Sequence, residues 1–123
     1  MMRVIVMSVL LSASLSWAGE YPATVTRVID GDTIEVDATL GLRMHYHGPV
    51  RFLGFNAPEL PTPAGLAAQR HLIRLFGMNT LVTIRTGQRE FDKYGRVLGT
   101  IHQGHVDLIQ EMIKAGQGVA STQ

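Results

Sequence analysis

The sequence predicts a mostly β fold with helices (α+β), built as a closed five-stranded barrel, and three observations support this prediction. Five short segments have the alternating or β-branched composition of strands, and turn residues separate them. One helical segment lies between the third and fourth strands, and another follows the fifth. Five short strands with a single interposed helix suit a closed barrel better than a sheet of repeated βαβ units.

The first three strands are predicted at residues 23–29, 33–37 and 50–55. Asp30-Gly31 favours a tight hairpin turn between the first two of them. In the second strand Ile34 and Val36 alternate with polar residues, so we expect both side chains to face the core. Residues 38–48 form a polar, glycine-containing excursion that is compatible with an extension of the hairpin.

The first helix is predicted from Pro63 to just before Gly77, with Thr62 as its N-cap residue. Proline is favoured in the first turn of a helix, and glycine just past its end. Four apolar residues recur at helical spacing and should form the face that packs on the core: Ala64, Ala68, Leu72 and Leu75.

The remaining strands are predicted at residues 80–85 and 97–102, with a polar loop at residues 86–95 between them. A last helix should begin after the N-cap residue Asp107 and stop at Gly116. Its apolar face would consist of Leu108, Met112 and Ala115.

The first eighteen residues have the layout of a secretory signal peptide. Arg3 gives a positive start, residues 4–15 are an apolar run, and Ser16 and Ala18 are small residues at the −3 and −1 positions of a cleavage site. The alternatives are an uncleaved membrane anchor or an internal strand, but the run is too short to span a bilayer as a helix. We therefore expect cleavage after Ala18, a secreted or periplasmic protein, and one domain at residues 19–123.

The composition excludes several kinds of site. The chain has no cysteine, which excludes disulfides, thiol nucleophiles and zinc sites built from cysteine. The net charge is +1, and removal of Arg3 with the first segment leaves ten basic and ten acidic residues. A neutral domain has no general attraction for nucleic acid, so phosphate binding would have to come from local clusters of basic residues.

Four groups of polar residues are candidates for chemistry. They are the turn at residues 30–33, Arg51 in an otherwise apolar strand, Glu59 just after that strand, and the charged turn at residues 92–96. Each alone has an ordinary structural explanation, and the first is not an EF-hand loop, because Gly41 stands where a bidentate glutamate is required. Together they supply oxygen ligands for a divalent cation, a base for water and paired arginines for a phosphoryl group, the parts needed to hydrolyse a phosphodiester.

His45 and His47 stand two residues apart and should face the same side of a strand, where they are placed to ligate a transition metal. A pair of this kind is more often a polar strand face. The other histidines, His71, His102 and His105, form no recognisable pattern with them.

Three motifs in this chain resemble, in order and roughly in spacing, those of the staphylococcal nuclease-like (thermonuclease) domain family. They are Val28-Ile-Asp-Gly-Asp-Thr33, Val50-Arg-Phe-Leu-Gly-Phe-Asn-Ala-Pro-Glu59 and Asp92-Lys-Tyr-Gly-Arg96. Residues 107–116 resemble the helix that follows these motifs in the family, so the resemblance covers about residues 23–118. It implies an OB-fold barrel with flanking helices.

The resemblance also implies a calcium-dependent phosphodiesterase that cleaves DNA and RNA with little sequence preference and leaves 3′-phosphates. By this resemblance, Ca²⁺ would be bound by Asp32, by the side chain of Asn56 and by the backbone carbonyl of Ala57.

The same resemblance implies roles for five further residues. Glu59 would be the general base that acts on a water near the metal. Arg51 and Arg96 would hold the scissile phosphate and stabilise the five-coordinate transition state. Lys93 and Tyr94 match positions that contact the terminal phosphate of a bound nucleotide.

The chain departs from the family pattern at two points. Position 56 is Asn where the family has Asp, so the direct ligands carry one formal charge fewer. An amide oxygen still binds Ca²⁺, but we expect this site to attract the ion less strongly. The chain also stops at Gln123, so we expect the C-terminal helix with which the family continues to be missing.

Two classes of function follow. The first is a calcium-dependent nuclease acting on DNA and RNA, as a monomer with no stable membrane association once the first segment is removed. The second is a nucleic-acid-binding module of the same fold with weakened catalysis, which Asn56 and the expected shortened C-terminus favour. The joint presence of Asp32, Arg51, Glu59 and Arg96 favours the enzyme, because a binding module needs no glutamate placed against the phosphate.

Overall fold

The computed structural model describes residues 18–76 and 79–122. In chain order its elements are β1 (Gly19–Asp30), β2 (Thr33–Gly41), β3 (Met44–Phe52), β4 (Phe55–Asn56), α1 (Pro63–Phe76), β5 (Thr80–Phe91), β6 (Val97–Gln103), β7 (Val106–Asp107), α2 (Leu108–Lys114) and β8 (Val119–Ala120). Residues 1–17 of the predicted signal peptide and Gly77, the predicted end of the first helix, lie outside the described residues. Within the described ranges, no helix is both long and apolar enough to cross a membrane.

The five longer strands form a closed barrel. They are hydrogen-bonded in the order β3-β2-β1-β5-β6, with antiparallel neighbours. A parallel pairing of β3 with β6 closes the ring, with Arg51 opposite Leu98. Closure pairs the two strands that would otherwise be sheet edges, and the predicted fold class, an OB-fold barrel with flanking helices, is confirmed.

One contiguous core fills the barrel and extends under both helices. The most deeply buried strand residues are Val25, Ile34, Val36, Val50, Phe52, Ile84 and Ile101. Helix α1 contributes Ala68, Leu72 and Phe76, and α2 contributes Leu108, Ile109 and Met112. Ala64 and Ala115 are exposed, contrary to the predicted helix faces. Gly65 is the buried residue of the first turn of α1, and Ala115 is the C-cap residue that follows the last residue of α2.

Both helices begin where the sequence predicts. Thr62 Oγ1 accepts a hydrogen bond of 3.0 Å from the Gly65 N–H, as an N-cap residue does. Asp107 Oδ1 accepts a hydrogen bond from the Ile109 N–H at 3.0 Å. Gly116, predicted to stop the second helix, has a φ of 70°, which glycine adopts without steric cost.

The hairpin of β2 and β3 is longer than the predicted strands. Residues 38–48 pair across it, from Ala38 opposite Tyr46 to Gly41 opposite Met44. Leu42 and Arg43 form the turn with φ values of 52° and 63°. A turn with two positive φ values usually selects Asn-Gly, and Leu-Arg carries no such signal, so the sequence could not locate this hairpin end.

Two other predicted boundaries are wrong. The predicted polar loop at residues 86–95 is largely strand, because β5 continues to Phe91, which pairs with Val97 after a register shift. The predicted strand at residues 50–55 breaks after Phe52 and resumes as β4, which pairs with β8 near the end of the chain.

Candidate functional site

The turn between β1 and β2 places two carboxylates at one end of the barrel. Asp30 Oδ1 accepts a hydrogen bond of 3.0 Å from the Asp32 N–H. Asp32 Oδ2 accepts another, of 2.9 Å, from the Ala57 N–H. This second bond joins the turn to the chain after β4, so the predicted cation ligands Asp32 and Ala57 are adjacent. Gly31 makes this approach possible, because a Cβ there would lie 2.7 Å from the Cβ atoms of Ala57 and Ala68.

Arg51 lies in β3 at the seam that closes the barrel, and only 7% of it is exposed. Its Nη1 donates hydrogen bonds to the backbone carbonyls of Phe52 at 2.9 Å and Phe55 at 2.7 Å. These two carbonyls lie on either side of the break between β3 and β4. The break therefore anchors the guanidinium.

The guanidinium also reaches two of the predicted cation ligands. Its Nη2 donates to Asn56 Oδ1 and lies 3.4 Å from Asp32 Oδ2. Burial lowers the pKa of Arg51 below its usual value while the Asp32 charge raises it, and arginine stays protonated in proteins. Burial raises the pKa of Asp32, and the Ala57 N–H and the Arg51 charge oppose that rise. Pairing thus offsets part of the cost of removing both charges from water.

A cavity of about 620 Å³ brings most of the predicted site together. It is lined by Asp30, Asp32, Arg51, Asn56, Ala57, Pro58, Glu59 and Leu60, and we call it the acidic cavity. Glu59 is exposed at this cavity, and its backbone carbonyl accepts hydrogen bonds from the Thr62 N–H at 3.1 Å and the Thr62 hydroxyl at 2.5 Å. The predicted cation ligands and the predicted base therefore share one space.

The donor atoms of the acidic cavity fit a hard divalent cation. A carboxylate of Asp32, the amide oxygen of Asn56 and the carbonyl of Ala57 are the kinds of oxygen that Ca²⁺ prefers. Asp30 and Glu59 add negative charge to the same cavity. No three His, Cys, Asp or Glu side chains of the described residues are grouped to hold a metal ion, so a cation here would also need neutral oxygens and water as ligands.

The charged turn at residues 92–96 lines a neighbouring cavity of about 290 Å³. Its lining residues are Arg51, Arg89, Asp92, Lys93, Tyr94, Arg96 and Leu98, and we call it the basic cavity. Arg51 borders both cavities, and its pKa is also lowered by the charge of Arg96, which places the two arginines within electrostatic range of each other.

Asp92 organises this turn. Its Oδ1 accepts hydrogen bonds of 2.9 Å from the N–H groups of Tyr94 and Arg96, and its Oδ2 accepts one of 2.7 Å from Arg96 Nε. Burial would raise the pKa of Asp92, but these bonds outweigh burial and hold the pKa below its usual value. Asp92 therefore stays ionised and sets the direction of the Arg96 side chain.

The aromatic ring of Tyr94 is flanked by two cations. Tyr94 is 73% exposed. Lys93 Nζ lies 5.1 Å and Arg96 Cζ lies 5.3 Å from the centroid of its ring. The structure thus brings the two predicted nucleotide-contacting residues, Lys93 and Tyr94, into the same cavity as Arg96.

The histidine pair lies away from both cavities. His45 Nδ1 is 3.0 Å and His47 Nε2 is 3.8 Å from Asp37 Oδ1, and all three residues are on the β2–β3 hairpin. Both imidazoles are exposed, and the two rings stack at 6.1 Å. His45 and His47 thus form, with Asp37, a polar face of this hairpin.

Sequence reasoning missed two residues that line the basic cavity, Arg89 and Leu98. Asp30, which belongs to a candidate turn but had no role of its own, lines the acidic cavity. Arg89 and Leu98 had no signal in the sequence, because each reaches the basic cavity through the pairing of long strands rather than through a local motif.

Several similar proteins are named as nucleases, although no family model matches the chain. The thermonuclease of Staphylococcus hyicus is 33% identical over 115 residues, which cover 85% of this chain and 62% of that protein. The micrococcal nuclease of Shigella flexneri is 31% identical over 102 residues, 82% of this chain and 53% of that protein. Endonuclease YhcR of Bacillus subtilis (strain 168) is 32% identical over 111 residues, 80% of this chain and 9% of that protein. The chain thus spans less than two thirds of the length of each of these relatives.

The fold, the three motifs and the similar proteins all point to the same family. The barrel is closed and carries two helices in its described part. The residues of the first two motifs meet at the acidic cavity, and those of the third line the basic cavity beside it. Identities of 31 to 33% over at least 80% of the chain link it to thermonuclease, micrococcal nuclease and an endonuclease. The chain therefore belongs to the staphylococcal nuclease-like domain family.

Proposed function

We propose that this domain is a calcium-dependent nuclease that hydrolyses phosphodiester bonds of DNA and RNA with little sequence preference. The observation that carries the proposal is the position of Arg51, which borders both the acidic and the basic cavity. A phosphodiester at their boundary would have Glu59 on one side and Arg96 on the other. The names of the similar thermonuclease and micrococcal nuclease support the same class of reaction.

In this proposal the side chains around the phosphodiester have separate tasks. Glu59 takes a proton from the attacking water, a role that its exposed carboxylate at the cavity allows. Arg51 and Arg96 donate hydrogen bonds to the phosphoryl oxygens, whose negative charge grows in the transition state. Because Arg51 and Arg96 are held by fixed partners, little reorganisation is needed as that charge develops.

Asp32, Asn56 and the carbonyl of Ala57 would hold Ca²⁺, which supplies positive charge beside the phosphoryl oxygens when it is bound. Asn56 lowers the negative charge of this ligand set. That feature favours a second candidate function, a nucleic-acid-binding module in which cleavage is weak. The two candidates share the basic cavity and differ in whether the bound strand is cut.

Incubation of the purified protein with single-stranded DNA or RNA, with Ca²⁺ or with a chelator, tests the proposal. We expect cleavage with Ca²⁺ and none with the chelator. Glu59→Gln preserves the size of the side chain but removes the base, so kcat should fall on the order of 100-fold or more while the unfolding midpoint is kept.

The matched control is Glu111→Gln on α2, where the carboxylate lies 3.7 Å from Lys114 Nζ and lines neither cavity. It should cleave at the wild-type rate. Full activity of a folded Glu59→Gln protein would refute the mechanism. Binding of oligonucleotide without any cleavage by the wild type would establish the binding module instead.

A further inference from the structure

The basic cavity carries more positive charge than one phosphate requires. Four cations line it from three parts of the chain: Arg51 from β3, Arg89 from β5, and Lys93 and Arg96 from the turn. Asp92 is the one carboxylate among these lining residues, and it is engaged by the N–H groups of its own turn and by Arg96. The cavity therefore keeps a net positive charge that a chain of phosphates would neutralise.

Arg89 is the member of this set to which no motif assigns a role. It lies near the end of β5 with an exposed side chain, and its Nε donates a hydrogen bond of 3.2 Å to the Phe91 carbonyl. Among the described residues no carboxylate forms an ion pair with Arg89, whereas Arg27, Arg85 and Arg96 each have one. Arg89 therefore adds to the lining of the basic cavity a positive charge that no ion pair of the described residues balances.

Tyr94 lines this cavity and is 73% exposed, so its ring offers a surface on which a base can stack. Exposed aromatic rings in basic grooves are platforms on which bases of single-stranded nucleic acid stack. If the base of one nucleotide stacks on Tyr94, the next phosphate of the strand remains available to the other cations that line the cavity. Arg89 reaches the cavity from β5 and Arg51 reaches it from β3, and a strand with more than one phosphate would supply a partner for each of these cations.

We propose that Arg89 binds a phosphate of the substrate strand at least one nucleotide away from the bond that is cleaved, so that the site takes a polynucleotide strand in preference to a dinucleotide. The inference rests on the proposed nuclease function and adds a phosphate subsite to it. Arginine suits this task because its planar guanidinium donates two parallel hydrogen bonds to a phosphate.

The test measures binding in the Glu59→Gln background, so that cleavage does not interfere. A labelled thymidine dinucleotide and a labelled thymidine octanucleotide are titrated by fluorescence anisotropy in Ca²⁺ at several salt concentrations. Adding Arg89→Ala should weaken octanucleotide binding about 5- to 10-fold, the effect of roughly 1 kcal/mol, and leave dinucleotide binding unchanged. The slope of log affinity against log salt should become shallower by about 0.7, the value for one phosphate contact on a single strand.

Two further variants sharpen the test. Arg89→Lys should restore part of the affinity, since it keeps the charge but loses the fork. Arg27→Ala removes an arginine that is paired with Glu35 and lines neither cavity, and it should change nothing. Thermal melting of every variant confirms that it is folded.

Unchanged octanucleotide binding in Arg89→Ala would overturn the inference, and so would equal weakening of both oligonucleotides, which would place Arg89 at the cleaved phosphate. Failure of the Glu59→Gln parent to bind either oligonucleotide would instead refute the proposed function itself. The two failures are therefore distinguishable.

Discussion

Arg51 carries a positive charge at a buried position, and its surroundings explain how it stays there. Its donors are directed to the carbonyls of Phe52 and Phe55 and to the amide oxygen of Asn56, while the Asp32 carboxylate lies nearby. A buried charge that is hydrogen-bonded and paired avoids most of the cost of an isolated one. Residue 56 therefore influences both the arginine and any cation in the acidic cavity.

The substitution Asn56→Asp tests this double role. It adds one formal charge beside Asp32 with almost no change in shape, and ligand charge is a main control of Ca²⁺ affinity. We expect tighter Ca²⁺ binding by calorimetry and less Ca²⁺ needed for half-maximal cleavage. The control is Asn79→Asp, which adds the same charge at an exposed position that lines neither cavity. Identical calcium curves for the wild type and Asn56→Asp would contradict a ligand role for residue 56.

Helix α1 is attached to the proposed base through its first turn. Thr62 caps the helix with its hydroxyl and also donates from that hydroxyl and its N–H to the Glu59 carbonyl. Gly65 packs against the same peptide, because a Cβ there would lie 2.6 Å from the Glu59 carbonyl carbon and closer still to its oxygen. The position of Glu59 thus depends on how the helix starts.

The substitution Gly65→Ala tests this dependence through the sign of the change in the free energy of unfolding. In an unobstructed helix the change stabilises by about 1 kcal/mol. Here we expect destabilisation by about 1 to 3 kcal/mol, because the added methyl group would overlap backbone atoms of Glu59, which can move away only by straining the chain. The cleavage rate should fall as well, because displacement of a catalytic group by about 1 Å costs on the order of 100-fold.

Denaturant unfolding and single-turnover cleavage measure the two effects. Gly87→Ala is the control, since no atom outside its chain neighbours lies within 4 Å of a Cβ at that position. A Gly65→Ala protein that is more stable than the wild type and cleaves at its rate would show that the contact does not position Glu59.

At the scale of the whole molecule, the net charge is close to zero, while negative and positive side chains are gathered in different cavities. The chain has nearly balanced basic and acidic residues, yet one cavity collects Asp30, Asp32 and Glu59 and the next collects Arg89, Lys93 and Arg96. Closure of the barrel places these cavities side by side, since β3 and β6 meet at Arg51. The net charge of a small domain therefore says little about its capacity to bind a polyanion locally.

Export of the protein, with removal of residues 1–18, stays a prediction from the sequence. The structure begins β1 at Gly19, directly after the predicted cleavage site at Ala18. We expect the form recovered outside the cytoplasm to have the intact mass of a chain that starts at Gly19. Ala18→Arg should block this cleavage, because the −1 position requires a small residue. Recovery of the exported wild type with residues 1–18 still attached would contradict the prediction.

The sequence by itself determined the features that depend on neighbours along the chain. The hairpin between β1 and β2, whose turn lies at Gly31-Asp32, one residue after the predicted Asp30-Gly31, has a local cause. The N-caps Thr62 and Asp107 and the alternation that buries Ile34 and Val36 have local causes as well. The order of the main elements and the fold class follow from these signals. The residues of the three motifs can be read directly from the sequence. Local hydrogen bonding and period-two burial leave a direct record in the order of residues.

Only the tertiary structure decided the features that depend on distant pairing. The parallel pairing of β3 with β6, the contact of β4 with β8, and the extension of β5 to Phe91 have no period or turn residue that announces them. These pairings bring Arg51 to the boundary of two cavities and Arg89 into the basic one. A contact between residues far apart in the chain is selected by the closed barrel as a whole, and the sequence near either residue does not specify its partner.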